Sequence, residues 1–204
     1  QVSRHLYTTS ILREKQVLPM EKCKAFLKRK NIVISAKRYG IDALGAMAQG
    51  LFCSLLIGTI LNTLGQQFHI GFLNAIIFTL GKGEAAVGYT IGGCASLMVG
   101  PAMAVAIGHA LHAPAMVLFS LVPVGFATNA MGGAGGPLAV LVTAVVAAEF
   151  GKAVSKETKV DILVTPIVTI LVGIGLAMLV AAPIGKGASW VGNIIMWATE
   201  QQPF

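Results

Sequence analysis

The stretch AAVGYTIGGCASLMVGPAMAVAIGHALHAPAMVLFSLVPVGFATNAMGGAGGPLAVLVTAVVAA, residues 85–148, runs for 64 residues without one Asp, Glu, Lys or Arg. A single bilayer crossing needs about 20 apolar residues. A run of this length must therefore cross more than once, and the chain reads as a multi-span membrane protein. Gly and Ala crowd the stretch, and Pro101, Pro114, Pro123 and Pro137 punctuate it. Proline removes a backbone donor and clashes with the preceding turn, so short, kinked or interrupted helices are expected. Interrupted helices at membrane depth are tolerated where they line a cavity or pack in protein, which points to a transport pathway.

Composition agrees, with 55% apolar and 11% charged residues against about a quarter charged in a soluble domain. The formal charge of +7 would ordinarily raise nucleic acid as a partner. However, ten of the fifteen basic residues lie in the first 38 positions, ahead of the first apolar span. Membrane topology explains that cluster better than nucleic acid does. Residues 1–38 read as a polar, basic, cytoplasmic segment and 39–204 as the membrane domain. Residues 1–19 lack any apolar period, and Met20 is taken as the native start. Lys22, Lys24, Lys28, Arg29, Lys30, Lys37 and Arg38 put this end in the cytoplasm by the positive-inside rule. The span that follows is too long for a secretory h-region and lacks a small-residue cleavage site.

The expected fold is an all-α polytopic membrane bundle of about five spanning helices, at 41–64, 85–110, 111–128, 138–150 and 160–182. Residues 72–80 are apolar but too short to cross, so they read as a re-entrant or interfacial piece. With that piece not spanning, the other basic cluster, Lys152, Lys156 and Lys159, also falls on the cytoplasmic side. Lys82 and Lys186 then lie outside, mildly against the rule.

Gly88, Gly92, Ser96, Gly100, Ala104 and Gly108 recur at every fourth residue and predict a small-residue ladder on one helix. Such a ladder lets another backbone approach closely, and helix packing outweighs a substrate-lining role. Asn129 leads into Gly132, Gly133, Gly135, Gly136 and Pro137. Two readings of this break stand level. One is a helix start whose free amides and positive dipole end hold a hydroxyl, carboxylate or phosphate; the other is a plain turn.

Ionisable residues at membrane depth are functional candidates by default. Glu149 is the foremost, able to accept hydrogen bonds from a polyol or to take a proton from a reacting hydroxyl. An equally weighted reading pairs it with Lys152 or Lys156. His109 and His112 stand one turn apart, a spacing that suits a metal, but two ligands are weak evidence and a polar interfacial pair is favoured. Asp42 is expected to cap or pair at the start of the first span, and Glu84 to pair with Lys82. Cys23, Cys53 and Cys94 form no disulfide or metal pattern. No hydrolase, zinc-protease or Walker motif is present, and no metal or cofactor is called for.

Two stretches, Lys28-Arg29-Lys30-Asn31-Ile32-Val33-Ile34-Ser35 running into Tyr39-Gly40-Ile41-Asp42-Ala43-Leu44-Gly45-Ala46-Met47-Ala48, and Val154-Ser155-Lys156-Glu157-Thr158-Lys159-Val160-Asp161-Ile162-Leu163-Val164-Thr165-Pro166, resemble the bacterial IIC-type membrane subunits of the sugar phosphotransferase system. The resemblance runs from about Met20 to the end and rests on overall pattern. It implies a sugar permease of the bacterial inner membrane, dimeric, that presents its substrate to a phosphorylated cytoplasmic IIB partner fed by IIA. No phosphoryl-carrier domain is recognisable in the chain, so it is at most the membrane component of such an enzyme. Members are longer than this chain, so a C-terminal truncation is expected. Asn74, Asn129, the glycine break and Glu149 are then the substrate-proximal candidates on physical grounds, matched to no family motif. The competing readings are a proton- or sodium-coupled carrier and a non-transporting regulatory or scaffold subunit.

Overall fold

The computed structural model describes residues 24–82, 86–157 and 160–201. The readings on Met20, on residues 1–19, and on Cys23, Glu84 and Lys159 lie outside them. The element order is α1 (24–29), α2 (Lys37–Gln67), α3 (Gly71–Asn74), β1 (Phe78–Leu80), β2 (Val87–Tyr89), α4 (Ile91–Leu97), α5 (Val99–Ala110), α6 (Ala115–Gly132), α7 (Gly136–Val154) and α8 (Asp161–Gln201). The fold is nearly all helical. Its exception is an antiparallel hairpin in which Phe78 pairs with Tyr89 and Leu80 with Val87.

Three helical stretches are long and apolar enough to cross a membrane: Lys37–Gln67, Ala115–Val154 and Asp161–Thr199. The α4–α5 pair, bent by 53° at Met98, makes a fourth if it is one broken span. The sequence count of about five splits the second stretch into two crossings. That stretch is not one straight rod. Gly133 takes a left-handed φ of 50° at a tight turn over Gly133–Gly135, and the Thr143 hydroxyl reaches the Thr128 hydroxyl at 3.3 Å. Residues 15 apart on a straight helix would stand about 22 Å apart, so α6 and α7 form an antiparallel hairpin.

The core lies where α5, α6, α7 and α8 pack against the first half of α2. Met103, Ile107, Leu111, Val117, Leu121, Val124, Val140 and Ala144 are fully buried there. The outward faces carry Phe119, Leu171, Met178 and Leu179, as expected where lipid rather than water is the solvent. Hydroxyls inside the helices are satisfied by the carbonyl four residues back, as in Ser54 to Gly50, Ser120 to Met116, Thr128 to Val124 and Thr169 to Thr165. Polar side chains at membrane depth thus remain hydrogen-bonded within their own helix.

Residues 72–80, read as a short piece that does not cross, form a single helical turn and a strand, and the chain reverses there to pair with β2. Two expectations need correcting. Asp42 neither caps nor pairs: α2 starts five residues earlier, at Lys37, and Asp42 is exposed inside a π-helical segment with Arg38 directed elsewhere. The ladder is not one helix. Gly88 lies on β2 against Ile76, Gly92 and Ser96 lie on α4, and Gly100, Ala104 and Gly108 lie on α5 beyond the bend. α4 packs on α2 through Gly58. α5 packs on α6, where the Gly100 and Gly125 backbones touch and leave no room for a Cβ on either.

Candidate functional site

Three helix C-termini converge at the end of the bundle that carries the basic residues. α1 and α5 both end in a left-handed residue, Asn31 (φ 54°) and His112 (φ 54°). In each case the following N–H donates back five residues, Ile32 to Leu27 and Ala113 to Gly108, the C-terminal arrangement that consumes orphan carbonyls. Beyond the end of α7, Lys156 is left-handed as well (φ 62°). These three residues line one cavity of about 410 Å³ together with Arg29, Lys30, Pro114, Lys152, Ser155 and Glu157.

Helix C-termini carry partial negative charge and favour cations, and cations are what the sequence supplies. Lys152 is 2% exposed. Its ammonium donates to the Asn31 carbonyl at 3.1 Å and the Leu111 carbonyl at 3.0 Å, and pairs with Glu149 Oε2 at 2.8 Å. Arg38 donates to the same Leu111 carbonyl at 2.6 Å and to Asn31 Oδ1 at 3.3 Å. Lys30 donates to the Ser155 carbonyl at the end of α7. Glu157 then closes the surface by pairing with Arg29 and Lys30, each at 2.6 Å. Those contacts, led by the Lys30 hydrogen bond, hold the Glu157 carboxyl below its ordinary pKa. The 155–160 connection is braced from below by Asp161, whose Oδ1 accepts from the Lys156 N–H at 2.8 Å and from the Thr165 hydroxyl at 2.5 Å.

Glu149 belongs to this cluster, and the sequence placed it one helical turn from its partner Lys152. Both carboxylate oxygens are buried, and Oε1 has no hydrogen-bond partner among the described residues. Tyr39, half-buried at the start of α2, adjoins it. The other polar candidates stand elsewhere. The Asn74 amide donates to the Gly65 carbonyl at 2.6 Å and braces the end of α2. Asn129 packs across the turn against Gly136 and beside Gly100. Gly132, Gly133, Gly135 and Gly136 form that turn. Gly132 and Gly135 press on the α8 backbone at Ile184 and Gly185, so closely that a Cβ on Gly135 would lie 2.8 Å from the Ile184 carbonyl.

His109 and His112 do not share a site. The left-handed turn at His112 carries it into the basic cavity, while His109 lines a separate groove between α2 and α5 with Gln49 and Cys53. Sequence reading missed the assembly of Arg29, Lys30, Asn31, Arg38 and Lys152, because the basic residues served there only as topology markers. The available signal was Lys152 itself, a cation three residues after Glu149 on an otherwise apolar helix.

What the arrangement offers is a polar, cation-rich vestibule at one end of an apolar helical bundle, with one under-bonded carboxylate just inside it. No curated protein and no solved structure matches the chain. The family described as Phosphotransferase system, EIIC matches it over residues 41–204. That match takes in nearly all of the apolar helices and the Glu149–Lys152 pair, and the chain belongs to the phosphotransferase system EIIC family.

Proposed function

We propose that this chain is the permease component of a sugar phosphotransferase system, carrying a sugar across the bacterial inner membrane to a phosphorylated cytoplasmic IIB protein. The observation that carries this reading is the family match over 41–204 on a chain whose helices reach membrane length. Five crossings are proposed: α2, the bent α4–α5 pair, α6, α7 and α8. The α6 and α7 arms have 18 and 19 residues, about 27 Å each, against a hydrocarbon core of about 30 Å. Arg29, Lys30, Arg38, Lys152 and Lys156 all lie at one end, and the positive-inside rule supports putting that end, and the N-terminal segment, in the cytoplasm.

Glu149 is the leading candidate for a sugar hydroxyl, since its buried carboxylate, paired with Lys152 and beside the Tyr39 phenol, is an acceptor a hydroxyl could join. Asn129, Asn74 and the glycine turn are secondary candidates, because their polar groups and backbones are already engaged within the fold. A homodimer is proposed from the family resemblance.

The test is uptake of a panel of labelled sugars into cells expressing the native gene, with the general phosphoryl-carrier proteins present or deleted. The expected product is an internal sugar phosphate that disappears on deletion. The buried Glu149–Lys152 pair also suits a second reading, a proton-coupled carrier. Unmodified solute whose accumulation collapses with an uncoupler would establish that reading and overturn the first. No uptake of any sugar would leave the scaffold reading standing.

A further inference from the structure

We propose that the basic cavity is a binding site for a phosphate monoester and that Glu157 occupies it in the resting protein as an internal stand-in for that ligand. Arg29, Lys30, Lys152 and Lys156 line the cavity against one carboxylate, Glu157. With Glu149 on Lys152 and Asp161 held by the Lys156 N–H and Thr165, three carboxylates stand near these four cations, and only Glu157 reaches into the cavity. Lys152 is spent on carbonyls and Glu149 inside the wall, whereas Arg29 meets Glu157 there, and Lys30 meets Glu157 and the Ser155 carbonyl. Among the described residues the Lys156 ammonium has no partner. Two cations converge on a single carboxylate oxygen, Glu157 Oε1, at 2.6 Å each, the geometry in which they would share one phosphate oxygen. A phosphate dianion offers more acceptors and more charge, and the Arg fork suits it in particular.

Glu157 is suited to leave. It lies on the loop after α7 and its side chain is 38% exposed, while its partner Lys30 is only 10% exposed, so its release needs an incoming anion to take over Lys30. The walls are suited to stay. Lys30 and Lys152 are fixed on the ends of α7, α1 and α5, so the cationic frame is set before any ligand arrives. A volume of about 410 Å³ admits a phosphorylated monosaccharide. This deepens the permease reading, and rests on it for the ligand's being a sugar phosphate. The same chemistry would also take the phosphomonoester headgroup of a lipid.

The experiment uses the full chain in phosphatidylcholine nanodiscs, titrated with glucose 6-phosphate, inorganic phosphate and glucose. Both phosphates are expected to bind saturably and glucose not at this site. Arg29→Gln and Lys156→Gln, both on the exposed rim, are expected to weaken binding about tenfold each, and Glu157→Gln to strengthen it severalfold. If phosphatidic acid doped into the disc competes with glucose 6-phosphate, and the same variants govern that competition, the site stands with a lipid as the source. Absence of saturable phosphate binding, or binding indifferent to Arg29, Lys156 and Glu157, overturns the proposal. Failed uptake with cavity binding intact would sink the permease reading alone, and lost binding with uptake intact would sink the cavity alone.

Discussion

The two ends of this molecule solve the problem of apolar surface differently. At the basic end, α5, α6, α7 and the start of α2 bury one another, and ammonium and guanidinium groups from Lys30, Arg38 and Lys152 tie off the helix C-termini. At the opposite end, α8 continues for 16 residues past its contact with the glycine turn at Gly185, about 24 Å further. It meets little there. Trp190, Ile195, Met196 and Trp197 are all more than 60% exposed, as are Phe68, Phe72 and Ile76 around α3. The basic end closes on itself through packed helices and buried charge. The other turns an apolar surface outward, whose partner in a membrane is lipid or protein. Stability should therefore be concentrated at the basic end, and substitutions of the same kind should have unequal consequences at the two ends.

Lys152 offers the hardest test of that inequality. Lys152→Ala would leave Glu149 buried without its counter-ion and the Asn31 carbonyl without this donor, while Arg38 would still serve the Leu111 carbonyl. Removing one partner of a buried pair costs about 3–5 kcal/mol, read as a fall in the melting temperature of the purified protein in detergent. Lys152→Met with Glu149→Gln should recover most of the loss. If the single variant melts like the parent, the basic end is not the stable one.

Backbone contact comes next. Gly125→Ala places a methyl against the Gly100 carbonyl and the Ala104 methyl, and overpacking of this kind costs about 1–3 kcal/mol. At the other end Gly187 and Gly192 have open space around a Cβ. There, alanine should be neutral or stabilising by up to about 1 kcal/mol, through helix propensity. Equal losses at Gly125 inside the bundle and on the outer part of α8, in the same melting assay, would erase the contrast between packed and open surface.

Trp190→Ala and Trp197→Ala should move the melting point little, within about 0.5 kcal/mol. Tryptophan emission should nevertheless be quenched by brominated lipid if lipid covers that face.

The gentlest prediction concerns the Glu157 clasp. Its carboxyl is held below the ordinary range by Lys30 and Arg29, so the folded state favours the ionised form. The stabilisation is present above the unfolded pKa and is lost as pH falls through the lowered folded value. Amide protection factors at 28–31 and 155–157, corrected for intrinsic rates, should therefore fall on acidification below the usual carboxylate range, and Glu157→Gln should remove that fall at 28–31 while Asp161 keeps part of it at Lys156.

Much of the fold was legible in one dimension, because lipid imposes a rule that composition reveals directly. A segment without charges and about as long as a bilayer is thick must be helical, since no water is there to satisfy its backbone. The spans near 41–64 and 160–182 announced themselves in this way, and so did the interruption between 128 and 138. The ladder was legible only as a spacing. Its split over β2, α4 and α5 follows from the hairpin and from the bend at Met98, where Pro101 supplies no N–H for the Leu97 carbonyl and its ring crowds it.

The charge-free run and the basic clusters thus determined by themselves that the chain is a helical membrane protein and which of its residues gather at one end. Only the tertiary structure decided that Lys152, which the sequence offered as a marker of topology and as one of two partners for Glu149, is buried at the junction of three helix ends, and that His109 and His112 part company. Hydropathy depends on each residue and its near neighbours. Partnership between Lys152, Asn31 and Leu111 depends on segments 41 and 121 residues apart, which folding brings together and no local pattern encodes.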